Sequence, residues 1–469
     1  MDHAQAAPAN RTGASQARWG TSHYNEALDR GGTPREFYRS LLEGMERIGP
    51  QTLTEKRARA EEELRRLGAT FPLPGGGENR ILPADWVPRI IPEDHWEELS
   101  YGLLQRGWAI NAWLTDLYHG DQDVVPEEIV NSSVFHKPER LPDHFLPVPV
   151  HVYGPDVVHL ESGEYVVLED NVRIPSGVAY SEAIRHAGLE AFEELFASYR
   201  VSGIYAYYAV LRATLEAAAP PDAGDPGIAI VTGGPGDPAY FEHSRIAEAC
   251  GIRLLTLGDL RVSGGAVLAQ PDGQRIDVIY RRVDGGYVVA DLPELEDTYR
   301  KGGVNLVNAL GVGVADDKAV FPYVPAMIER YLGEEPVLRN APTISLWDAE
   351  ERSAALERLP ELVLKPRDGY GGRDVLIGPE ADRESIERAR RDVTENPTGF
   401  VAQECLDFST HVLDGEAPSG EAFVDLRALV LPAIGYVMPG GLTRVAKPGT
   451  RIVNSSSGGS FKDTWVLET

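Results

Sequence analysis

The spacing of apolar residues divides the chain into a mainly helical first part and a later part dominated by strands. Apolar side chains recur at helical spacing from Thr33 to about Gly68, and again in PEDHWEELSYGLLQRGWAINAWLTDLYHG, residues 92–120. From Leu146 onward, short apolar runs and alternating patterns are typical of strands. The pattern therefore predicts an α/β protein with an N-terminal helical region.

A glycine-rich hairpin is predicted over residues 362–378, LVLKPRDGYGGRDVLIG. An apolar run leads to Lys365, then Gly369, Gly371 and Gly372 follow in a short loop, and a second apolar run returns. Glycines let backbone N–H groups approach an anion closely, and a lysine at the strand end adds positive charge for a phosphate. A glycine-rich β-turn with an exposed lysine is the alternative interpretation.

A second predicted hairpin brings acidic residues together: VHVYGPDVVHL, the turn ESGE, and then YVVLEDN. Asp156 lies on its first strand, and Glu169 and Asn171, two residues apart, face the same side of the second. Two carboxylates and an amide are hard oxygen ligands that suit Mg²⁺ and leave room for phosphate oxygens. A solvated acidic strand end is the alternative.

Several cations stand at the ends of predicted elements. Arg281 and Arg282 end one strand, Arg427 lies inside a later strand, and Arg444 lies near the end of the next. Lys318 is predicted at the start of a helix, where a cation opposes the helix dipole, so a ligand phosphate explains it better. In so acidic a chain the arginines suggest anion binding, although a surface ion pair would explain Arg281 and Arg282 equally well.

Two further segments suit ligand binding. The predicted strand that ends in Gln403, Glu404, Cys405 and Leu406 can present alternating backbone N–H and C=O groups to an adenine edge. Residues 227–260 predict a β-α-β unit with the loop GGPGDP, which we interpret as a ligand loop at the carboxyl end of a strand. The complete dinucleotide fingerprint is absent from this loop.

Composition narrows the class of protein and its partners. The chain has 469 residues, of which 42% are hydrophobic and 25% charged, as in soluble globular proteins. Its formal net charge of −27 argues against a nucleic-acid partner, and no apolar run reaches membrane-spanning length. The two cysteines, Cys250 and Cys405, lie far apart, and the first residues lack the pattern of a signal peptide. We therefore expect a cytoplasmic protein.

Four of these motifs, taken together, resemble an ATP-grasp nucleotide site: ADDK around Lys318, LVLKPRDGYGG, VAQECL and VLEDN. Their order is unusual, because Asp156 and VLEDN precede both lysines. This order resembles the circularly permuted ATP-grasp group, type 2, which is related to the synthetase part of glutathionylspermidine synthetase. The resemblance extends from about Tyr24 to the C-terminus, and VLEDN-x-R-x-PSG and KP-x-x-GYGG are its most specific parts.

The resemblance implies an α/β, circularly permuted ATP-grasp fold that binds ATP and Mg²⁺. It places the α- and β/γ-phosphates at Lys318 and Lys365, the loop over the triphosphate at Gly369, Gly371 and Gly372, the adenine hinge at Gln403, Glu404, Cys405 and Leu406, and the metal at Asp156, Glu169 and Asn171.

Enzymes of this kind phosphorylate a carboxylate with ATP, and an amine then displaces phosphate from the acyl phosphate. The resemblance thus implies an ATP-dependent carboxylate–amine ligase that releases ADP and phosphate and acts on small-molecule or peptide substrates. We expect positive charge at the acyl phosphate from Arg281, Arg282, Arg427 and Arg444. A catalytically silent ATP-binding scaffold or regulatory protein is the alternative, and a kinase that stops at the phosphorylated acid is a third possibility. The complete set of lysines, hinge and metal residues favours the ligase.

The predicted organisation has five parts: a disordered N-terminus at 1–20, a mainly helical region at 21–145, the metal-binding part of the ATP-grasp core with helices at 146–226, a β-α-β substrate-side domain at 227–300, and the lysine, glycine-loop and hinge subdomain with closing strands at 301–469.

Overall fold

The structure is a computed structural model that describes residues 23–71, 80–369, 374–415, 420–453 and 458–468. The predicted disordered N-terminus, residues 1–20, and the loop glycines Gly371 and Gly372 lie outside the described residues.

Helices are densest in the first half of the described chain. They are α1 (Arg39–Ile48), α2 (Pro50–Leu67), α3 (Glu93–His119), α4 (Glu127–Asn131), α5 (Val178–Phe196), α6 (Ala206–Ala217), α7 (Tyr240–Cys250), α8 (Gly285–Asp291), α9 (Pro293–Arg300), α10 (Val324–Leu332), α11 (Ala349–Glu357) and α12 (Arg383–Glu395). The long helix predicted over 92–120 is α3, and its buried side, which includes Trp96, Leu103 and Trp113, belongs to the main core. None of the described helices is both long enough and apolar enough to cross a membrane.

Strands run through the rest of the described chain. They are β1 (Thr70–Phe71), β2 (Arg80–Ile81), β3 (Ala84–Ile91), β4 (Asp156–His159), β5 (Tyr165–Glu169), β6 (Ile228–Val231), β7 (Arg253–Leu255), β8 (Leu260–Ser263), β9 (Ala266–Ala269), β10 (Arg275–Ile276), β11 (Val278–Arg281), β12 (Asn305–Val307), β13 (Arg339–Asn340), β14 (Thr343–Ser345), β15 (Leu362–Pro366), β16 (Leu376–Ile377), β17 (Phe400–Glu404), β18 (Thr410–Val412), β19 (Glu421–Arg427), β20 (Val430–Leu431), β21 (Tyr436–Val437), β22 (Leu442–Val445) and β23 (Ser460–Val466).

The largest sheet runs in the order β13-β5-β4-β19-β22-β23-β3, with β18 also paired to β19. The predicted hairpin of β4 and β5 is present, and Asp156 stands opposite Glu169. Strand β3 contains Pro88, which has no backbone N–H to donate to a neighbouring strand. It pairs with β23 at the edge of the sheet, where a proline such as Pro88 is tolerated, and most of its side chains are buried.

Two sheets of four strands each contain the other predicted motifs. The predicted β-α-β unit forms a parallel sheet in the order β12-β11-β6-β7, which extends past residue 300 to Val307. The antiparallel sheet β14-β17-β15-β16 contains the predicted lysine hairpin, in which Val363 pairs with Ile377. Helices α11 and α12 share its apolar core, which includes Leu362 and Val393.

Candidate active site

A cleft lies between the largest sheet and the antiparallel β14-β17-β15-β16 sheet. Its lining includes most of the residues that the sequence singled out: Asp156, Glu169, Asn171, Lys318, Lys365, Gly369, Gln403, Glu404, Cys405, Leu406, Arg427 and Arg444. Apolar side chains such as Leu168, Val363 and Phe408 complete the walls. Residues separated by more than 280 positions in the chain therefore meet in one place because the two sheets face each other.

The oxygen donors of the cleft are positioned by the β4–β5 hairpin. Glu169 ends β5, and Asn171 lies two residues further on, with its Nδ2 3.4 Å from Glu169 Oε1. Asp170, between them, points away and accepts hydrogen bonds from Arg106 and Tyr153, all three being buried. This alternation leaves Glu169 and Asn171 on the side of the cleft.

Asp156 is held by two arginines. Its carboxylate accepts hydrogen bonds of 2.5 and 2.9 Å from Arg427 Nε and Nη2, and Arg444 Nη2 lies 2.9 Å from Asp156 Oδ2. Burial by itself would raise the pKa of Asp156, but the two guanidinium groups lower it below its ordinary value. Asp156 is therefore an ionised, fully paired carboxylate at neutral pH.

Asp425 is a residue of the cleft that the sequence analysis missed. Arg444 donates to both of its carboxylate oxygens, with Nε 2.9 Å from Oδ1, so Arg444 bridges Asp425 and Asp156. Burial raises the pKa of Asp425 to about 6, and the nearby charge of Asp156 adds to this rise. Asp425 precedes Arg427 by two residues on β19, so strand alternation was the pattern that could have identified it.

The two lysines approach the cleft from different elements. Lys318 Nζ donates to the carbonyl oxygen of Gly369 at 2.6 Å and lies 3.7 Å from Glu169 Oε2. Lys318 does not start a helix, as the sequence suggested. It lies in a turn, and α10 begins only at Val324, so the helix-dipole argument does not apply to it.

Lys365 lies on β15 and donates to Gln403 Oε1 at 2.7 Å across the sheet. The pKa of Lys365 is lowered to about 8, mainly by burial. The negative charge of Glu169 raises this pKa, and the positive charge of Lys318 lowers it. A phosphate bound beside Lys365 would stabilise its charged ammonium form.

The predicted hinge is the end of β17 and the residues after it. Gln403 Nε2 donates to Thr343 Oγ1 at 2.9 Å, and the backbone N–H of Glu404 donates to the carbonyl oxygen of Pro342 at 2.9 Å. The Glu404 carboxylate pairs with Arg358. Backbone contacts with an adenine edge would therefore come from other groups of the hinge, at Cys405 and Leu406, which also line the cleft.

Arg281 and Arg282 do not reach this cleft. Arg281 donates to the carbonyl oxygens of Asn308 and Ala309, at 2.6 and 3.1 Å, and burial lowers its pKa to about 10. Arg282 donates to the carbonyl oxygen of Pro175 at 2.7 Å and pairs with Glu242. The structure thus brings Arg427 and Arg444 together in the cleft and places Arg281 and Arg282 outside it. An arginine at the end of a strand can donate to backbone carbonyls of its own chain as well as to a ligand.

The donor set fits a magnesium ion that is bound together with phosphate. Among the described residues there is no group of three or more His, Cys, Asp and Glu side chains that could hold a metal ion. Mg²⁺, however, is usually bound by one or two carboxylates plus substrate phosphates. Glu169 and Asn171 offer such oxygens, whereas Asp156 would have to share its oxygens with Arg427 and Arg444.

Comparison with known proteins agrees with this geometry. The family described as "Circularly permuted ATP-grasp type 2" matches residues 88–446. An uncharacterized protein of Synechocystis sp. is 38% identical over 95% of this chain and 97% of its own length. A protein of Frankia casuarinae with the provisional name glutamate–cysteine ligase 2-2 is 39% identical over 96% of this chain. The chain spans only 54% of the length of that relative and of a similar one from Frankia alni.

A solved structure shows the same fold. The apo form of a glutathione synthetase-like effector from Globodera pallida superposes with a TM-score of 0.57 at 12% identity, covering 89% of this chain and 98% of the effector. The fold class and the resemblance inferred from the sequence are thereby confirmed. The chain belongs to the circularly permuted ATP-grasp type 2 family.

Proposed function

We propose that the protein is an ATP-dependent carboxylate–amine ligase that works through an acyl phosphate and releases ADP and phosphate. The observation that supports this most is the meeting of two lysines with the Glu169–Asn171 oxygen donors in one cleft, where Lys318 Nζ lies 3.7 Å from Glu169 Oε2. Phosphoryl transfer needs mainly positioning and charge neutralisation, which these groups supply.

Each set of residues has a role in this proposal. Lys318 and Lys365 hold the phosphates, and the hinge after β17 takes the adenine. Glu169 and Asn171 would hold Mg²⁺, and Asp156 would join them only by sharing its oxygens with Arg427 and Arg444. The ion would neutralise phosphate charge and orient the terminal phosphoryl group. Arg427 and Arg444 stand beside Asp156, where positive charge stabilises the acyl phosphate and the oxyanion formed by amine attack.

The names of two relatives suggest which acid and amine to test first. The names of the two Frankia relatives make glutamate and cysteine the first acid and amine to test. About half of each relative lies outside the match, so their named activity is not assigned to this chain by similarity alone.

Hydroxylamine trapping tests the reaction. With ATP, Mg²⁺ and a pool of amino and carboxylic acids, an acyl phosphate should give a hydroxamate together with ADP and phosphate. Lys318→Ala and Lys365→Ala should weaken ATP binding in calorimetry by about 1–3 kcal/mol each. Release of AMP and pyrophosphate would identify an adenylating enzyme and overturn the mechanism. Phosphorylated acid that does not react with amines would indicate a kinase, and ATP binding without any turnover would favour the silent scaffold.

A further inference from the structure

The turn that carries Lys318 belongs to neither of the two sheets that form the cleft. The largest sheet supplies Glu169 and the antiparallel sheet supplies Lys365, whereas Lys318 reaches both from a separate segment. The strand pairing of the two sheets therefore does not determine where the Lys318 ammonium group lies. Two aspartates, Asp316 and Asp317, directly precede Lys318 in the chain, and their contacts supply that information.

Asp316 joins the turn to the segment that follows the oxygen donors Glu169 and Asn171. Its Oδ1 accepts hydrogen bonds from the backbone N–H groups of Val172, at 2.5 Å, and of Arg173, at 3.2 Å. Its Oδ2 accepts a hydrogen bond of 2.5 Å from Arg173 Nε. Because Val172 directly follows Asn171, these contacts hold the turn against the oxygen-donor side of the cleft.

Asp317 joins the same turn to the hairpin of Lys365. Asp317 is 1% exposed, and its two carboxylate oxygens accept hydrogen bonds of 2.6 and 2.7 Å from Arg367 Nε. Arg367 follows Lys365 by two residues, and its carbonyl oxygen accepts the backbone N–H of Lys318 at 3.1 Å. Ser133, which lies just after α4, donates to Asp317 Oδ2 at 2.6 Å. The turn is therefore held against the lysine hairpin as well.

Stability alone explains these two ion pairs poorly, because the desolvation of a buried pair offsets much of its attraction. The partners of the two aspartates come from the segments that also carry the oxygen donors and the second lysine. Between the two pairs, Lys318 Nζ lies 3.7 Å from Glu169 Oε2. Phosphoryl transfer depends mainly on positioning, and a displacement of about 1 Å can lower a rate by roughly a hundredfold.

We propose that Asp316 and Asp317 are positioning residues that act on the nucleotide through Lys318. Asp316 sets the Lys318 ammonium group against the Glu169–Asn171 side of the cleft, and Asp317 sets it against Lys365. Neither aspartate is among the described residues that line the cleft, so neither contacts the phosphates itself. The inference rests on the proposed phosphate role of Lys318 and adds the groups that make this role possible.

A double-mutant cycle on nucleotide binding tests the role of Asp316. Calorimetry with a non-hydrolysable ATP analogue and Mg²⁺ should show binding about tenfold weaker in Lys318→Ala and about threefold to tenfold weaker in Asp316→Asn. In the Lys318→Ala background, Asp316→Asn should have no further effect, because the group that it positions is gone. Arg173→Gln removes the partner of Asp316 and should give the same pattern. Equal losses in both backgrounds, or no loss in Asp316→Asn, would overturn the proposal.

Asp317→Asn should show the same dependence on Lys318, with thermal melting to check that the variant folds. If it does not fold, Arg367→Lys tests the same contact, because it keeps the charge but loses the guanidinium geometry. Glu182→Gln is the matched control, since Glu182 is nearly as buried as Asp316, pairs with Arg245 and lies outside the described lining of the cleft. It should lower the melting temperature and leave nucleotide affinity unchanged.

The outcomes separate this inference from the ligase. Losses that disappear in the Lys318→Ala background, without hydroxamate or ADP release, would retain the positioning role and reject the ligase. Hydroxamate formation together with equal losses in both backgrounds would retain the ligase and reject the positioning role. Wild-type nucleotide affinity in Lys318→Ala would overturn the positioning role whatever the turnover.

Discussion

Nucleotide binding should weaken as pH rises from 7 to 9, and Lys365 is the reason. Burial lowers the pKa of its ammonium group to about 8 in the free protein, so the group loses its charge over this interval. A bound phosphate favours the charged form and raises the pKa again. Binding therefore requires uptake of a proton at high pH, and the apparent affinity falls as the free lysine becomes neutral.

The magnitude follows from the position of the pKa. At pH 7 most of Lys365 is charged, whereas at pH 9 roughly nine tenths is neutral if the pKa is about 8. If phosphate restores the ordinary lysine pKa, the dissociation constant rises about tenfold between these pH values, or ~1.4 kcal/mol. The second ionisation of a phosphate lies near pH 6, so the nucleotide changes charge little over the same range.

Calorimetry with a non-hydrolysable ATP analogue and saturating Mg²⁺ measures this dependence. Lys365→Arg should bind with nearly constant affinity from pH 7 to 9, because a guanidinium stays charged throughout. Lys318→Arg is the matched control and should keep the wild-type slope, since Lys365 is unchanged in it. A flat wild-type profile, or equal slopes in wild type and Lys365→Arg, would refute the assignment of Lys365 to a phosphate.

Lys365 should also lower the free energy of unfolding of the nucleotide-free protein. A lysine whose pKa is lowered by folding binds its proton less tightly in the folded state, so between about pH 8 and 10.5 the free energy of unfolding rises with pH. At pH 7, Lys365→Met should therefore raise the free energy of unfolding while it weakens nucleotide binding. We expect about 1–2 kcal/mol, because Lys365 is only half-buried and Gln403 Oε1 loses its donor. Urea unfolding of the free protein measures this change.

Three further predictions concern the groups around the lysines. Glu169→Gln should abolish Mg²⁺-dependent ADP release without lowering the melting temperature, whereas Glu164→Gln, at an exposed position of the same hairpin, should leave activity intact. Arg106→Met should lower the free energy of unfolding by about 3–5 kcal/mol in urea titrations, because it leaves the buried carboxylate of Asp170 without its cation, and an unchanged midpoint would contradict this. Because burial raises the pKa of Asp425 to about 6, the folded protein loses stability as pH rises through that range. Between pH 4 and pH 6, the free energy of unfolding of Asp425→Asn minus that of the wild type should therefore increase by about 2 kcal/mol. A difference that stays constant with pH would show that the pKa of Asp425 is not raised.

The sequence predicted best those parts of the site whose geometry is local. A hairpin with alternating side chains brings Asp156 opposite Glu169 and turns Asp170 to the other side, and both follow from a period of two. The lysine hairpin was predictable for the same reason, since strand and turn residues define it. The expected position of Gly371 in that hairpin falls outside the described residues, so its role stays a prediction.

The sequence predicted least where distant segments decide the role of a side chain. Arg282 directly follows β11 and Arg427 ends β19, but Arg282 donates to a backbone carbonyl and pairs with Glu242, whereas Arg427 pairs with Asp156. No local pattern separates these two outcomes. Strand β3 shows the same limit, because Pro88 argues against a strand until the edge position beside β23 is known.

The charges of the cleft explain why Mg²⁺ should be needed even though the described residues hold no cluster of three metal-binding acids. The described lining has five cationic side chains, including Arg451, and four carboxylates, so it is nearly neutral within a chain of formal net charge −27. A nucleoside triphosphate brings on the order of three to four negative charges. One excess cation cannot balance these charges, and the arginines are already paired with Asp156 and Asp425. In the proposed reaction, Glu169 and Asn171 would hold a divalent ion, which would supply the missing charge, and Lys318 and Lys365 would then be free to position the phosphoryl groups.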